Sequence, residues 1–385
     1  MENELKRENE LPGSLAELLA DLDARGVEGY ERYRSMKKYL TFKAREKGVP
    51  ISGTFELTPL CNLDCKMCYV HLNKEQLGNS RLLGVEQWKS LMKQAVDAGM
   101  MYAGLTGGEC LTYPGFKELY IYLQSMGVEV GMLTNGLLLT DDMVDFLKKN
   151  PPAHVRVTLY GADEDTYERV TGHRAFAKAY AGLSRLREAR LPFSIAITPS
   201  RFLGADAGEA IIRLAAENGF NYNINSGLFA ARDETGRKLE DYDVDLDDYF
   251  SLIRLKREMD GKAVLPSCAE DDLPPSGSRG EKRRGVRCGA ARSSFSIAWD
   301  GTMAPCNTFL YYKANPLQIG FSEAWKYLNS AVADFVIPAE CDGCPYDSIC
   351  KHCVAEHLQG APVGHANPAV CAWGRRYVRE GFASI

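Results

Sequence analysis

The chain has 385 residues, a formal net charge of −5, a hydrophobic fraction of 45% and a charged fraction of 25%. This is too long for one small domain and ample for a large core that needs no covalent staples. The weak negative charge argues against a nucleic-acid or membrane surface as partner.

The first residues, MENELKRENELPGS, are polar and lack an apolar signal core, and no run approaches the length of a membrane span. A cytoplasmic location is therefore expected. In that reducing setting the 12 cysteines point to metal or redox chemistry rather than disulfides. Ten of them fall in two zones, at 61–68 and 288–371.

Residues 1–50 read as a helical extension. Ser14 and Glu17 have the spacing of a capping box ahead of Leu15, Leu18, Leu19 and Leu22. A second helix is expected from about Val27 to Lys47, stopped by Gly48 and Pro50. Its Tyr30, Tyr33 and Tyr39 are expected to pack against a neighbouring domain.

From 51 to 262 strand and helix patterns alternate. The strands are Thr54–Thr58, Tyr102–Thr106, Val128–Thr134, Val155–Leu159, Phe193–Ile197 and Tyr222–Asn225. The helices between them are Val85–Ala98, Phe116–Met126, Asp141–Lys148, Phe176–Glu188 and Asp206–Asn218. Such alternation specifies an α/β fold with a parallel sheet, here a partial (β/α)6 TIM-type barrel with its chemistry at the C-terminal ends of the strands.

Residues 263–287 contain PPSGSRGEKRRG and read as a linker, with Lys282, Arg283 and Arg284 a solvated charge run. Residues 288–375 are cysteine-rich and poorly periodic, which suggests a small domain held by metal rather than by a core. Residues 376–385 form a tail.

The segment ELTPLCNLDCKMCYV follows the first strand and carries Cys61, Cys65 and Cys68 as C-x3-C-x2-C. Thiolates are soft ligands suited to iron–sulfur clusters, and three of them leave one iron of a cubane open. A zinc site completed by His71 is the alternative reading. With the aromatic Tyr69 the motif resembles the radical S-adenosylmethionine (SAM) superfamily. The resemblance implies a [4Fe–4S] cluster on Cys61, Cys65 and Cys68 that binds SAM and cleaves it to the 5′-deoxyadenosyl radical. It also implies a flavodoxin or ferredoxin-type electron donor.

Further segments fall in the register this resemblance requires. The second strand ends in Gly107, Gly108 and Glu109, which in the superfamily contact the SAM amino group. The third ends in Thr134 and Asn135, where the ribose or methionine moiety is contacted. The fourth reads VTLYGAD, with Thr158 in the place of the family's serine. Thr171 stands where many relatives carry an arginine, so Arg169 or Arg174 is the expected anchor for the SAM carboxylate. Cys110 replaces the proline that usually follows Gly-Gly-Glu. It reads as a small buried residue, with a hydrogen-atom donor as the alternative.

Cys288 is followed by twelve residues and Gly301, then four more and Cys306. Next come C-x2-C-x5-C-x2-C at Cys341, Cys344, Cys350 and Cys353, and finally Cys371. This order is similar to the SPASM extension of radical SAM enzymes, which holds two auxiliary [4Fe–4S] clusters. The resemblance assigns Cys288, Cys306 and Cys353 to the first, with Cys268 able to complete it, and Cys341, Cys344, Cys350 and Cys371 to the second. The last spacer has two residues where the family has three.

The function implied is hydrogen abstraction from a peptide or protein, in the maturation of a ribosomally made peptide. Alternatives are formylglycine formation on sulfatases, a small-molecule dehydrogenase of the same superfamily, and a plain electron carrier. Sulfatase maturases carry an aspartate base just after the cysteine aligned with Cys306. Asn307 stands there and cannot take up a proton in that way.

Overall fold

A computed structural model describes residues 13–78, 82–232, 238–262, 285–347, 349–350 and 353–382. Cys268 and residues 263–284 of the expected linker, with Lys282, Arg283 and Arg284, lie outside the described residues.

The strands are β1 (Ser52–Glu56), β2 (Tyr102–Thr106), β3 (Glu129–Thr134), β4 (His154–Leu159), β5 (Phe193–Ile197), β6 (Tyr222–Ile224), β7 (Ser294–Ile297) and β8 (Met303–Ala304). The major helices are α1 (Leu15–Ala24), α2 (Gly29–Lys47), α3 (Val85–Asp97), α4 (Phe116–Ser125), α5 (Asp141–Lys149), α6 (Glu164–Thr171), α7 (Phe176–Glu188), α8 (Gly204–Glu217), α9 (Leu246–Met259), α10 (Phe321–Ala333), α11 (Val354–Gly360) and α12 (Pro368–Arg379). The sheet runs β6-β5-β4-β3-β2-β1-β7-β8. All neighbours are parallel except β7 and β8.

Crossover helices cover one face of this sheet, as strand–helix alternation requires. On β4, Val155, Val157 and Leu159 are fully buried. The alternate residues His154, Arg156 and Thr158 point the other way. That second face is polar: His154 Nε2 lies 2.8 Å from Ser194 Oγ, Arg156 bonds Asn225, and Asn225 Nδ2 donates to Thr198 Oγ1 at 2.8 Å.

Two expectations are corrected. Strand β1 begins and ends two residues earlier than Thr54–Thr58. The chain turns away at Thr58–Leu60, where its carbonyls serve the neighbouring turn described below. The cysteine-rich region also packs into an apolar core, one that it shares with the barrel. Phe321, Ala324, Trp325, Leu328 and Val332 form the buried stripe of α10. They join Phe295, Ile297, Phe309 and Phe335 in the same apolar cluster as the barrel, and β7 extends the barrel sheet beside β1.

The capping box on α1 is present, with Glu17 N donating to Ser14 Oγ at 3.2 Å and Ser14 N to Glu17 Oε2 at 3.3 Å. Helix α2 ends on Gly48 at φ 65°. Of the three tyrosines on α2, only Tyr39 is buried, against Leu18 and Leu22. Tyr33 reaches Glu129 of the barrel while Tyr30 is exposed, so the expected packing holds for part of the set.

Candidate active site and cysteine cluster sites

Cys61, Cys65 and Cys68 lie in the loop that leaves β1 at its C-terminal end. The barrel holds this loop from two sides. On one side Gly108 N donates to Thr58 O at 2.7 Å and Glu109 N to Leu60 O at 3.0 Å. On the other, Asp64 N donates to Thr171 O and Lys66 N to Val170 O, both at 3.0 Å. Thr171 is fully buried, and its hydroxyl donates to Tyr167 O at 2.7 Å.

The two glycines have a cause inside the chain. A Cβ on Gly107, whose φ is 148°, would stand 2.3 Å from Thr58 O. One on Gly108 would stand 2.5 Å from Leu60 O and 2.6 Å from Pro59 O. Both must be glycine for the cysteine loop to lie against this turn, before any ligand is considered.

Glu109 ties the second and third strand ends together. It is 1% exposed. Its Oε1 accepts from Thr134 Oγ1 at 2.9 Å and Leu111 N at 3.1 Å, and its Oε2 accepts from Asn135 N at 2.7 Å. Burial raises its pKa above the usual carboxylate value, while these donors work in the opposite direction. Asn135 extends the chain of contacts: its Nδ2 donates to Asn62 Oδ1 at 2.6 Å and reaches Cys61 Sγ at 3.7 Å. Glu109, Thr134 and Asn135 thus meet the cysteine loop.

The thiols suit a shared metal. Burial pushes Cys61 up to about 12 and Cys65 well above the usual thiol value, and each also senses Cys68. Crowded, buried thiols become thiolates once a metal takes up their charge. His71 lies beside the loop, its backbone N–H donating to Cys68 Sγ at 3.2 Å and its Nδ1 3.4 Å from Asp64 Oδ1. Among the described residues no three His, Cys, Asp or Glu side chains converge as on a single ion. A cubane gives each thiolate its own iron, so its ligands stand further apart.

Residues 55–215 match the sequence model of the radical SAM superfamily. The chain carries a radical SAM domain. The chain has relatives among proteins that mature peptides, and it spans about half the length of the first of them. It is similar to the sporulation killing factor maturation protein SkfB of Bacillus subtilis, with 29% identity over 196 residues, covering 51% of this chain and 47% of SkfB. It is also similar to the antilisterial bacteriocin subtilosin biosynthesis protein AlbA of the same organism, with 24% identity over 368 residues, covering 90% of this chain and 76% of AlbA. The fold resembles Streptococcus suis SuiB, with a TM-score of 0.64 and 17% identity over 96% of this chain and 88% of SuiB. It also resembles anSMEcpe with bound AdoMet, with a TM-score of 0.62 and 17% identity over 85% of this chain and 96% of that one.

Outside the radical SAM domain, Cys341, Cys344, Cys350 and Cys371 line one cavity of about 200 Å³. Burial, then the neighbouring Cys350 and Cys371, push the Cys341 thiol up to about 12. Cys288, Cys306 and Cys353 form a second group. Burial raises Cys353 to about 12, with smaller contributions from Glu356, Cys306 and Cys288. Cys288 is exposed as a residue, yet chain packed around its thiol raises it, and Cys306 adds to this.

The remaining expected residues are placed as follows. Tyr69 lies between the first loop and Asn307, whose Nδ2 donates to the tyrosine hydroxyl at 2.7 Å. Thr158 is on the polar sheet face. Arg169 is exposed and spends its guanidinium on the carbonyls of Phe202 and Leu203, at 2.9 and 3.4 Å. Arg174 is exposed in ion pairs with Asp165 and Glu168. Cys110 is fully buried, and its thiol donates to Leu133 O at 3.3 Å, which agrees with the reading as a small packed residue. Sequence reasoning missed Arg156 on the polar face and the buried pair of Glu56 with Arg232. A charged residue inside each otherwise apolar strand, TFELT and HVRVTL, was the available signal.

Proposed function

We propose that this chain cleaves SAM reductively and uses the resulting radical to abstract hydrogen from a peptide or protein, as a maturase of a ribosomally made peptide. The observation that carries this reading is the meeting of the Cys61–Cys68 loop with Glu109 and Asn135 at the C-terminal strand ends, with the Cys306–Asn307 loop bonded to it through Tyr69. The first loop would hold a [4Fe–4S] cluster, which when bound supplies the electron that breaks a carbon–sulfur bond of SAM.

The chain's own residues then have defined work. Glu109 and Asn135 hold the two turns that flank the open side of the cysteine loop. Gly107 and Gly108 let that loop sit flush. Thr158 and Arg156 share the polar sheet face, and Arg156 is the cation there suited to the SAM carboxylate, its guanidinium reaching Asn225, whereas Arg169 and Arg174 are exposed on and just after α6. Cys288, Cys306 and Cys353, and separately Cys341, Cys344, Cys350 and Cys371, would hold two auxiliary clusters. A flavodoxin or ferredoxin-type donor in the cytoplasm would supply electrons. The proposed domains are an extension at 1–50, the barrel at 51–262, a linker at 263–287, the auxiliary domain at 288–375 and a tail at 376–385. No helix among the described residues is long and apolar enough to cross a membrane.

Anaerobically reconstituted protein with dithionite and SAM is expected to release 5′-deoxyadenosine and methionine. Absence of both products would remove the reading. A sulfatase-derived Cys-x-Pro-x-Arg peptide is expected to stay unmodified, because Asn307 supplies no carboxylate and is already bonded to Tyr69. Formation of the aldehyde on that peptide would move the chain to formylglycine chemistry.

A further inference from the structure

Four segments meet beside Tyr69. Strand β1 brings Glu56, which is 2% exposed. The first cysteine loop brings Cys68 and Tyr69. The loop after β8 brings Cys306 and Asn307. Residues 225–232 leave the end of β6 and cross over the other three.

Arg232, near the end of this crossing, makes the connections. Its Nη1 donates to Glu56 Oε2 at 2.8 Å and its Nη2 to Glu56 Oε1 at 3.2 Å. The same Nη2 donates to the Asn307 carbonyl. Its backbone N–H donates to Tyr69 O at 3.1 Å, and its guanidinium lies 5.2 Å from the Tyr69 ring centroid. Asn307 Nδ2 closes the circle on the Tyr69 hydroxyl at 2.7 Å. Just upstream, Phe229 packs on Tyr69 with ring centroids 6.0 Å apart. Ala230 N donates to Gln359 Oε1 at 2.6 Å, and Gln359 Nε2 donates to Leu228 O at 3.2 Å, which ties the crossing to α11 and so to the residues after Cys353.

A buried ion pair of this kind contributes little net stability, because desolvation offsets most of the attraction. Its planar fork does fix geometry, since each N–H has one direction. Here the fork and the backbone N–H of one residue address β1, the first cysteine loop and the Cys306 loop together.

We propose that Arg232, oriented by Glu56, is a positioning residue that locks the Cys61–Cys68 loop to the Cys306–Asn307 loop through Tyr69. The two thiol sets are thereby held at one fixed separation. This rests on the proposed function only in taking both loops as cluster-binding; the lock itself is a property of the polypeptide.

The test uses the full chain with Glu56→Gln and Arg232→Met combined, so that no buried charge is left unpaired. Hydrogen–deuterium exchange is read on the protein as isolated and after anaerobic reconstitution. The expected result is at least roughly tenfold faster exchange in peptides spanning 60–72 and 304–310, with the rest of the barrel at parent rates. After reconstitution, iron content should match the parent. The dithionite-reduced electron paramagnetic resonance signal of the first cluster should change its power saturation, because its distance to the neighbouring cluster is no longer fixed. Unchanged exchange in both loops would overturn the proposal. If the combined variant exchanges faster everywhere, Asn307→Leu becomes decisive: acceleration confined to 304–310 and 66–72 supports the lock, and none overturns it. Should the parent fail to cleave SAM, the proposed function falls while the exchange experiment still decides the lock.

Discussion

Around Cys61, Cys65 and Cys68 the polypeptide does the holding. Backbone bonds to Thr58, Leu60, Val170 and Thr171, two glycines that admit close approach, and a buried carboxylate at Glu109 shape the loop without any ligand. Around Cys341, Cys344, Cys350 and Cys371 the cysteines instead line a cavity of about 200 Å³ between short elements. The first site is a scaffold fixed by the polypeptide itself, which would hold a cluster in one orientation, as a catalytic site needs. The second is a space whose contents would supply much of the local stability. The same residue type thus serves two designs, and the difference can be attacked experimentally.

The largest effect is expected from Cys61→Ala, Cys65→Ala and Cys68→Ala combined. SAM cleavage should vanish, while circular dichroism and the iron bound elsewhere persist, because the loop is held by its own hydrogen bonds. Residual cleavage would break the comparison at its root.

Cys341→Ala with Cys371→Ala should do the reverse. From roughly twelve irons in three cubanes, about four should be lost. The thermal transition of the C-terminal region should fall or broaden, with SAM cleavage retained in part. Zinc replacing iron in the parent would sharpen the contrast into two different metals.

Gly108→Ala tests the scaffold alone. Its Cβ would meet two backbone carbonyls, and backbone cannot swing aside as a long side chain can. A loss of about 1–3 kcal/mol is expected from denaturant melts of the unloaded chain. Wild-type stability would show that the loop shifts freely.

Glu109→Gln keeps the shape and removes the charge and one acceptor. Leaving a buried donor unmet costs about 1–3 kcal/mol at most, so a measurable but smaller fall in stability is expected, with slower SAM cleavage. The smallest effect is expected from Arg169→Ala, whose guanidinium serves the carbonyls of Phe202 and Leu203. The SAM concentration for half-maximal cleavage should change by less than about twofold, against at least about tenfold for Arg156→Ala. The opposite order would return the carboxylate anchor to Arg169.

The sequence alone determined the strand–helix alternation from 52 to 224, because apolar periodicity and glycine or capping signals are local. Helix Phe176–Glu188 and strands Tyr102–Thr106 and Phe193–Ile197 were legible to the residue. The three-cysteine loop and the two strand-end turns were legible for the same reason: each is a short motif at a fixed register. Helix α10 carries a readable stripe, yet the dense cysteines around it drew the expectation toward a coreless metal domain. Only the tertiary structure decided that β7 joins β1 and that Glu56, Tyr69, Arg232 and Asn307 meet. Those partners stand 163 residues apart for Tyr69 and Arg232 by 232 − 69, and 251 apart for Glu56 and Asn307 by 307 − 56. A charge pairing across such separations leaves no periodic trace in the chain. It exists because burying Glu56 in a strand demands a cation, and the fold brings one there from the end of the sixth strand's exit.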